Sequence, residues 1–306
     1  MAKTIYTRSP FYVQLASSED AVTCTIDVDS STIYTLNRET IDGYATFEIS
    51  ELVRDYIQPT YDLNEGVVEV DVTLDDGVAS PTTYNYIAVD GYKLYSEGIQ
   101  SESNVSSSNV VAVTPVNGER RILVSDVMDS KVGRIQPGSS NVAYSTIDPS
   151  DAPSIVILSN TIMVDEIDCS KYEVIPCRFI NKYGVHQMFF FNLKFVEKID
   201  AESFSYNRSL VNYTNMSLDN NAHSMQRVVT GGKQSFTLNT PFLDEYYNQT
   251  IEELMFSEYV WIYVNSFWTP VHVKTQSLEK KTHVNDKLIQ YTIQMDSAST
   301  YLNTIR

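Results

Sequence analysis

The sequence predicts an all-β protein of two β-sandwich or barrel-like domains, with one or two short helices packed on the sheets. Three observations lead to this fold class. Tyrosine occurs 21 times, beside 12 phenylalanines and only 2 tryptophans. Tyr, Val, Ile and Thr recur in short alternating runs, which is the pattern of half-buried strands. Turn-forming residues separate these runs at short spacing, as they do in sandwiches and barrels.

Five alternating runs in the first part of the chain predict strands. They cover residues 11–15, 22–28, 32–36, 67–74 and 82–89. The last two flank Asp75-Asp76-Gly77, a strong turn signal, and are therefore predicted to form a hairpin. Pro81 stands where the second strand of that hairpin begins, and a missing backbone N–H does little harm there.

Two helices are predicted to interrupt the strands. Ser50 is expected to cap a short helix over residues 51–57. A second helix, near residues 241–256, is expected to have Thr240 as its cap and Pro241 at its first position. Its predicted buried stripe consists of Phe242, Leu243, Tyr246, Tyr247, Ile251, Leu254 and Met255. Neither helix is long enough to form a layer of its own.

Apolar strands continue in the second half of the chain. They are predicted at residues 155–158, 172–180, 187–195, 259–264, 270–274 and 288–295. Asn181-Lys182-Tyr183-Gly184 predicts a hairpin turn, because glycine adopts the positive φ that such turns need. The strand at 187–195 is apolar on both faces over part of its length and is expected to lie buried between layers. Gly231-Gly232 is interpreted as a turn between two strands.

Two polar stretches divide the chain. Residues 96–109 are rich in Ser, Glu and Asn, and residues 136–153 are rich in Pro, Ser and Gly. The second stretch is the preferred domain boundary. We therefore predict an N-terminal β-sandwich domain over residues 1–150, with a polar loop near 96–109, and a C-terminal β-rich domain over residues 151–306. A length of 306 residues suits two domains or one large all-β body.

Charge argues against several classes of partner. The chain has 22 Lys and Arg against 39 Asp and Glu, a formal net charge of -17. Such a field repels the phosphates of nucleic acids and anionic lipids, so neither is an expected partner. Apolar runs fall well short of the ~18 residues of a membrane helix. Residues 1–10 lack the apolar segment of a secretory signal, and synthesis in a cytoplasm is expected.

Motifs for catalysis are scarce. The segment 230–235 looks at first like a phosphate-binding loop, but Arg227 replaces its first glycine and Gln234 replaces the hydroxyl that would hold magnesium. The four histidines, His186, His223, His272 and His283, are scattered along the chain. A triad assembled in space stays open, although nothing in the sequence favours one. No catalytic or cofactor-binding residue is assigned, and the protein is expected not to be an enzyme.

Two metal sites are open alternatives. Cys169, Cys177 and His186 are zinc-ligand types, but the C-x-x-C pair and a fourth ligand are missing. Asp27 and Asp29 would point to the same side of a strand, where two carboxylates can bind calcium or act as an acid–base pair. A solvated acidic face is the simpler interpretation of both aspartates, so no metal or cofactor is assigned.

Four segments carry a family resemblance. They are residues 5–13, the strand-to-helix segment 47–57, the segment 178–184 with its following Phe-rich strand, and residues 291–298. They resemble segments of virion structural proteins of tailed bacteriophages, notably crAss-like and other phages of Bacteroidetes. The resemblance implies a ring, collar or fibre-adaptor subunit of the neck or tail. It also implies localisation in the virion, and partners that are further copies in a homo-oligomeric ring and other tail, neck or fibre proteins.

The resemblance and the exposure expected of loops indicate where partners would bind. The interface candidates are Arg8, Pro10, Phe11, Tyr12, Tyr246 and Tyr247, together with the polar loop near residues 100–109. The alternative function is a receptor- or glycan-binding tail module with aromatic platforms near Tyr246, Tyr247, Trp261 or Trp268. A depolymerase with paired carboxylates is a third hypothesis, disfavoured because the internal repeats typical of β-helical enzymes are not seen.

Overall fold

The structure is a computed structural model, and it confirms an all-β protein with few helical residues. The residues it describes are 3–59, 67–100, 103–104, 112–113, 119–124, 142–144, 155–158, 161–166, 171–184, 186–212, 214, 216–218, 221–243, 245–280 and 289–302. Strands make up most of these residues, beside two short α-helices in the described ranges.

The N-terminal part is built on a six-stranded sheet. Its elements are β1 (Lys3–Tyr6), β2 (Tyr12–Ala16), β3 (Ala21–Val28), β4 (Ser31–Glu39), β5 (Tyr44–Glu48), α1 (Ser50–Arg54), β6 (Val67–Asp75), β7 (Thr82–Val89) and β8 (Ser103–Asn104). The sheet has the order β4-β3-β6-β7-β1-β8. β1 and β7 are parallel, and all other neighbouring strands in this sheet are antiparallel. β2 and β5 form a separate antiparallel pair. The predicted hairpin at Asp75-Asp76-Gly77 is confirmed as the connection between β6 and β7.

Alternation along the strands creates the first hydrophobic core. In β3, every second residue is buried and the residues between are half-buried or exposed. The inward side chains of β3 and β6 pack in one cluster with residues from β2, β5, α1 and the segments beside them. Its members include Val22, Cys24, Ile26, Val70, Val72, Phe11, Val13, Phe47, Ile49 and Val53. Burial of these apolar groups stabilises this part of the chain.

The C-terminal part is built on a seven-stranded antiparallel sheet. Its elements are β14 (Ile175–Ile180), β15 (His186–Phe191), β16 (Val196–Asn207), β17 (Val211–Asn212), β18 (Ser217–Leu218), β19 (Met225–Asn239), α2 (Asn248–Phe256), β20 (Val260–Val264), β21 (Phe267–Val273) and β22 (Thr292–Ser297). The sheet order is β15-β14-β20-β21-β22-β19-β16. Along the chain, five further strands lie between these two parts and form two small sheets. They are β9 (Ala112–Val113), β10 (Glu119–Val124), β11 (Val142–Tyr144), β12 (Ile155–Leu158) and β13 (Thr161–Glu166).

A second hydrophobic core lies on this sheet. The turn at 181–184 joins β14 to β15 as predicted, with Gly184 at φ +74°. Every residue of β14 and β15 is buried. This confirms the first part of the strand predicted at 187–195, but the strand ends at Phe191. α2 covers the core through Ile251 and Leu254.

The predicted start of the first helix is wrong. Ile49 occupies the N-cap position of α1, and Ser50 is already helical. The Ser50 hydroxyl donates to the Glu48 carboxylate, which also accepts the Ser50 backbone N–H at 3.0 Å. Glu48 therefore accepts one of the backbone donors at the start of the helix that has no partner within the helix.

The predicted start of the second helix is also wrong, because α2 begins at Asn248. Leu243 pairs instead with Ile289, and the hydroxyl oxygen of Thr240 accepts the Tyr291 backbone N–H at 2.9 Å. Pairing with the segment before β22 thus takes the place of helix at residues 240–243. Within the predicted stripe, Leu243, Tyr247, Ile251 and Leu254 are buried, Met255 is half-buried and Phe242 is exposed.

The predicted domain boundary near residue 150 lies outside the described residues, as does half of the polar loop at 96–109. The two hydrophobic clusters draw their residues from 5–88 and from 175–295. The division into residues 1–150 and 151–306 stays a prediction. None of the helices in the described ranges has the length and apolar character needed to cross a bilayer.

Candidate functional site: the N-terminal groove and the projecting arm

The segment 8–12, which contains four of the predicted interface residues, lies beside two cavities. Arg8, Pro10 and Tyr12 line both of them. The larger cavity, of about 580 Å³, is completed by Ser9, Lys93, Leu94, Tyr95, Gly98 and Ile99. The smaller, of about 280 Å³, is completed by Thr7, Ser9, Glu48, Ser50, Glu51 and Arg54. We call the larger cavity the N-terminal groove. Its rim combines exposed apolar side chains with two basic residues.

A single glutamine side chain holds the groove in shape. The Gln100 amide donates to the carbonyl oxygens of Tyr6 and Ser9, and its oxygen accepts the Tyr6 backbone N–H at 2.9 Å. The Ser9 hydroxyl accepts the Lys93 backbone N–H at 2.7 Å. These bonds tie the residues after β1 to the chain after β7. Gln100 was not identified from the sequence, since its partners lie more than 90 positions away.

Behind the groove, charged residues join the N-terminal and C-terminal parts. The Arg8 guanidinium donates to the Phe256 carbonyl at 2.9 Å and lies 5.0 Å from the centre of the Tyr92 ring. Nη2 of Arg54 lies 2.7 Å from each carboxylate oxygen of Glu258. Hydrogen bonds between two charged groups are stronger than those between neutral groups. We call this region the junction.

Backbone contact brings the two parts still closer at the junction. The Tyr92 N–H donates to the Lys182 carbonyl at 2.8 Å, and the Lys182 ammonium pairs with the Glu97 carboxylate. A Cβ atom on Gly91 would lie 2.5 Å from the Tyr6 ring and 2.9 Å from the Lys182 carbonyl oxygen. Only glycine fits between these groups.

Asp90 is a buried acid within the junction. Only 3% of its surface is exposed, and its Oδ2 has no hydrogen-bond partner. Burial raises its pKa to about 6, with Glu258 adding to the rise and Arg8 and Arg54 opposing it. Desolvation therefore outweighs the attraction of the two arginines.

The structure separates the predicted interface residues into two groups. Arg8, Pro10 and Tyr12 lie together at the groove. Phe11 is buried and packs edge-to-face on Tyr86, with 5.3 Å between ring centres. Tyr247 is buried in the C-terminal core, and the side chain of Tyr246 lies outside the described part of the chain. The interface role of these residues stays a prediction.

The tryptophans of the proposed glycan platform are partly covered. Trp261 is buried between Tyr259 and His186, with ring-centre distances of 6.3 and 5.7 Å. Trp268 is half-buried, and the Arg178 guanidinium lies 4.8 Å from the centre of its ring. The indole of Trp261 is therefore covered, and the Arg178 guanidinium lies over the ring of Trp268.

The alternative zinc ligands do not form a described site. Burial of the Cys177 thiol raises its pKa, and burial of His186 lowers the imidazole pKa to about 3, with Arg178 lowering it further. Cys169 lies outside the described residues. Within the ranges that the structure covers, no three His, Cys, Asp or Glu side chains are placed to share a metal ion.

The alternative calcium pair is also separated. Asp27 belongs to β3, but Asp29 has left the strand and lies in a turn at φ +46°. The Glu69 backbone N–H approaches Asp29 Oδ1 at 3.4 Å. The prediction that both carboxylates point to one side of a strand is therefore wrong, because the strand ends between them.

A projecting arm is the feature that the sequence analysis missed. β16 pairs with β19 from Val196↔Thr237 to Asn207↔Met225, whereas β22 pairs only with Ser235–Asn239 of β19. We call residues 199–234 the projecting arm. Its two strands extend past β22 by about nine residues, or roughly 30 Å. All twelve residues of β16 are exposed.

Gly231 and Gly232 lie inside β19, so their interpretation as a turn is wrong. They pair with Glu202 and Ala201 of β16, next to a register shift between Glu202 and Ser203. The Tyr301 N–H donates to the Gly232 carbonyl at 3.1 Å, and a Cβ atom on Gly232 would lie 3.3 Å from that of Tyr301. Glycine here accommodates a bulge and a closely packed tyrosine.

The arm leaves large apolar side chains in water. Ile199, Phe204, Tyr206, Met216, Met225 and Val229 are each between 44% and 80% exposed. Its charges balance, in contrast to those of the whole chain. From residue 199 to 234 there are three acids and three bases: Asp200, Glu202, Asp219, Arg208, Arg227 and Lys233. A neutral, apolar and exposed surface of this kind is typical of a binding site for another protein.

Comparisons with known proteins give no match. No family model fits the chain, no curated protein is similar to it in sequence, and no solved structure is similar to it in fold. The function must therefore be argued from the groove, the junction and the arm.

Proposed function

We propose that this protein is a non-enzymatic structural component of a tailed-phage virion. It forms or decorates an oligomeric neck or tail ring and docks neighbouring tail or fibre proteins. The projecting arm is the observation that carries this proposal. A two-stranded ribbon that leaves its sheet has little stability of its own in water. An arm of this length is therefore a feature expected of a subunit that is completed by its neighbours.

The free energy available at the arm supports assembly. Six large apolar side chains are about half exposed, and burying the remainder would contribute roughly 1 kcal/mol each. The arm carries no net charge, so it can approach another acidic subunit without the repulsion that two bodies of this chain would experience.

The N-terminal groove is a second feature that supports the proposal. It lies in the segment that resembles phage structural proteins. Tyr12, Leu94, Tyr95 and Ile99 give it an apolar rim, and Lys93 adds a positive charge. An extended segment of a neighbouring protein, with an apolar side chain and a carboxylate, would match this lining.

The test is incorporation into particles. In a host that produces the phage, the chain is supplied in trans as the wild type or as a short-arm variant, in which an Asn-Gly turn replaces residues 202–231. The turn joins Ala201 to Gly232, which already face each other across the strands. Quantitative mass spectrometry of purified particles is expected to find the wild type at a fixed copy number and the short-arm variant at least ~10-fold depleted.

Phe267→Ser is the matched control, because Phe267 is exposed to a similar degree but belongs to β21 in the body. It should enter particles as the wild type does. Particles that contain no wild-type chain would contradict the proposed function. Equal incorporation of the short-arm variant would remove the arm as its basis.

A further inference from the structure

We infer that the free edge of β16 pairs antiparallel with the β16 edge of a second copy, about a two-fold axis at Asp200. β16 is the last strand of the seven-stranded sheet, and no described strand pairs with its outer edge. A free edge exposes a row of backbone donors and acceptors that another strand can satisfy. The inference rests on the proposed function only in requiring that the protein assembles with itself.

The outer edge of β16 is regular over its whole length. The irregular pairing between Glu202 and Ser203 places the extra residue, Thr230, on β19. β16 therefore keeps a strict alternation of faces from residue 196 to 207. The strand has no proline, and its four charged residues are of both signs: Glu197, Lys198, Asp200 and Glu202. This edge can therefore pair with a strand whose charges are complementary to its own.

The charge pattern selects a second copy as the partner. With Asp200 at the centre, Lys198 lies opposite Glu202 of the second copy, and the reverse pair forms by symmetry. The same register places Val196 opposite Phe204, so apolar side chains meet on the same face. A two-fold contact needs such self-complementarity, because both copies use the same surface. If one residue of the first copy contacts a second residue of the other copy, the reverse contact also forms.

The central pair of aspartates is neutralised by lysines already present. Lys198 Nζ lies 2.6 Å from Asp200 Oδ2, and Lys233 Nζ lies 3.0 Å from Glu202 Oε1. Lys233 is also the residue directly opposite Asp200 on β19. Each copy thus brings two lysines and two acids to this face of the contact, and the contact as a whole is neutral.

Disulfide trapping tests the register. In full-length protein with Cys169→Ser, Asp200→Cys places the two introduced thiols directly opposite each other, within the separation that a disulfide spans. Lys198→Cys is the control, since its two copies would lie ~13 Å apart. The native Cys24 and Cys177 are buried and do not compete. Mild oxidation should cross-link Asp200→Cys at least ~10-fold faster than Lys198→Cys. Equal rates, or no cross-link with Asp200→Cys, overturn the inference.

Charge reversal tests the recognition. Lys198→Glu should weaken self-association by ~10-fold in sedimentation equilibrium, and adding Glu202→Lys should restore it to within ~3-fold. Lys274→Glu is the matched control, because Lys274 is also exposed and paired with an aspartate but does not belong to β16. A double variant without rescue, or an equal loss in Lys274→Glu, overturns the inference.

The outcomes also separate the inference from the proposed function. A chain that stays monomeric, or that cross-links only to a different virion protein, overturns β16 pairing while its presence in particles upholds the function. A chain that pairs through β16 but never enters particles upholds β16 pairing and overturns the proposed function.

Discussion

The two ends of the seven-stranded sheet have the same antiparallel pairing and opposite surroundings. At one end, β14 and β15 are buried at every position. At the other, β16 is exposed at every position, and the first seven residues of β19 are all exposed or half-buried. Packing accounts for the stability of the first pair, whereas hydrogen bonds to β19 are the main support of the second. Strand geometry alone therefore does not tell which part of a sheet carries stability and which part is left for partners.

Removal of one aromatic ring from each end of the sheet should give the largest difference in the free energy of unfolding. Phe189→Ala in β15 should lower the free energy of unfolding by about 3–5 kcal/mol, because the ring is buried against Phe191 at 5.1 Å and leaves a cavity. Phe204→Ala in the arm should change it by less than about 0.5 kcal/mol. Urea denaturation of both variants measures the difference. Similar losses would show that the arm is part of the cooperative core.

A buried and an exposed aspartate extend the contrast to pH. The pKa of Asp90 is about 6 in the folded protein, above its ordinary value of 3.8. The folded state therefore binds this proton more tightly than the unfolded chain, and stability is lost as pH rises from about 4 to 6. Asp90→Asn removes this loss and should be more stable than wild type above pH 6, by up to about 3 kcal/mol.

The matched control for Asp90→Asn is Asp200→Asn in the arm, whose side chain is exposed. It should stay within about 0.5 kcal/mol of wild type at each pH. Denaturation at pH 4, 5, 6 and 7 gives all three curves. If the free energies of unfolding of wild type and Asp90→Asn differed by the same amount at every pH, the raised pKa of Asp90 would be contradicted.

Substitution of one glycine at the junction and one in the arm should give the smallest difference in stability. Gly91→Ala should destabilise the protein by about 1–3 kcal/mol, because its methyl group meets the Tyr6 ring and the Lys182 carbonyl. Gly231→Ala in the arm has only the Glu202 carboxylate at 3.5 Å and should be neutral or stabilising by about 0.5 kcal/mol. Thermal unfolding of the two variants compares them. A neutral Gly91→Ala would mean that the junction is looser than its contacts indicate.

Strands with a clear alternation were predictable from the sequence, and the arm was not. β3 and β6 alternate between apolar and polar residues because one face of each is buried. β16 has no buried face, so its residues carry no hydrophobic period. Gly231-Gly232 resembled a turn because a bulge and a turn use the same residue. The start of α2 depended on the pairing of Leu243 with Ile289, which no local pattern records.

The surface of the N-terminal groove was predictable in part. Arg8, Pro10 and Tyr12 were selected from a short resembling segment, and they do line a cavity. Phe11 has the same local character but points into the core. Gln100, Asp90 and Glu258 complete the groove and the junction through contacts made far along the chain. Residue type alone does not reveal such long-range partners.

The attachment of the arm has a mechanical consequence. β19 is held to β22 by five residue pairs, Ser235↔Asp296 to Asn239↔Thr292. A pull along the strand axis loads these pairs together in shear, so they must break at the same time. A pull across the sheet would open them one by one. The attachment of the arm should therefore resist a pull along the arm better than a pull across the sheet.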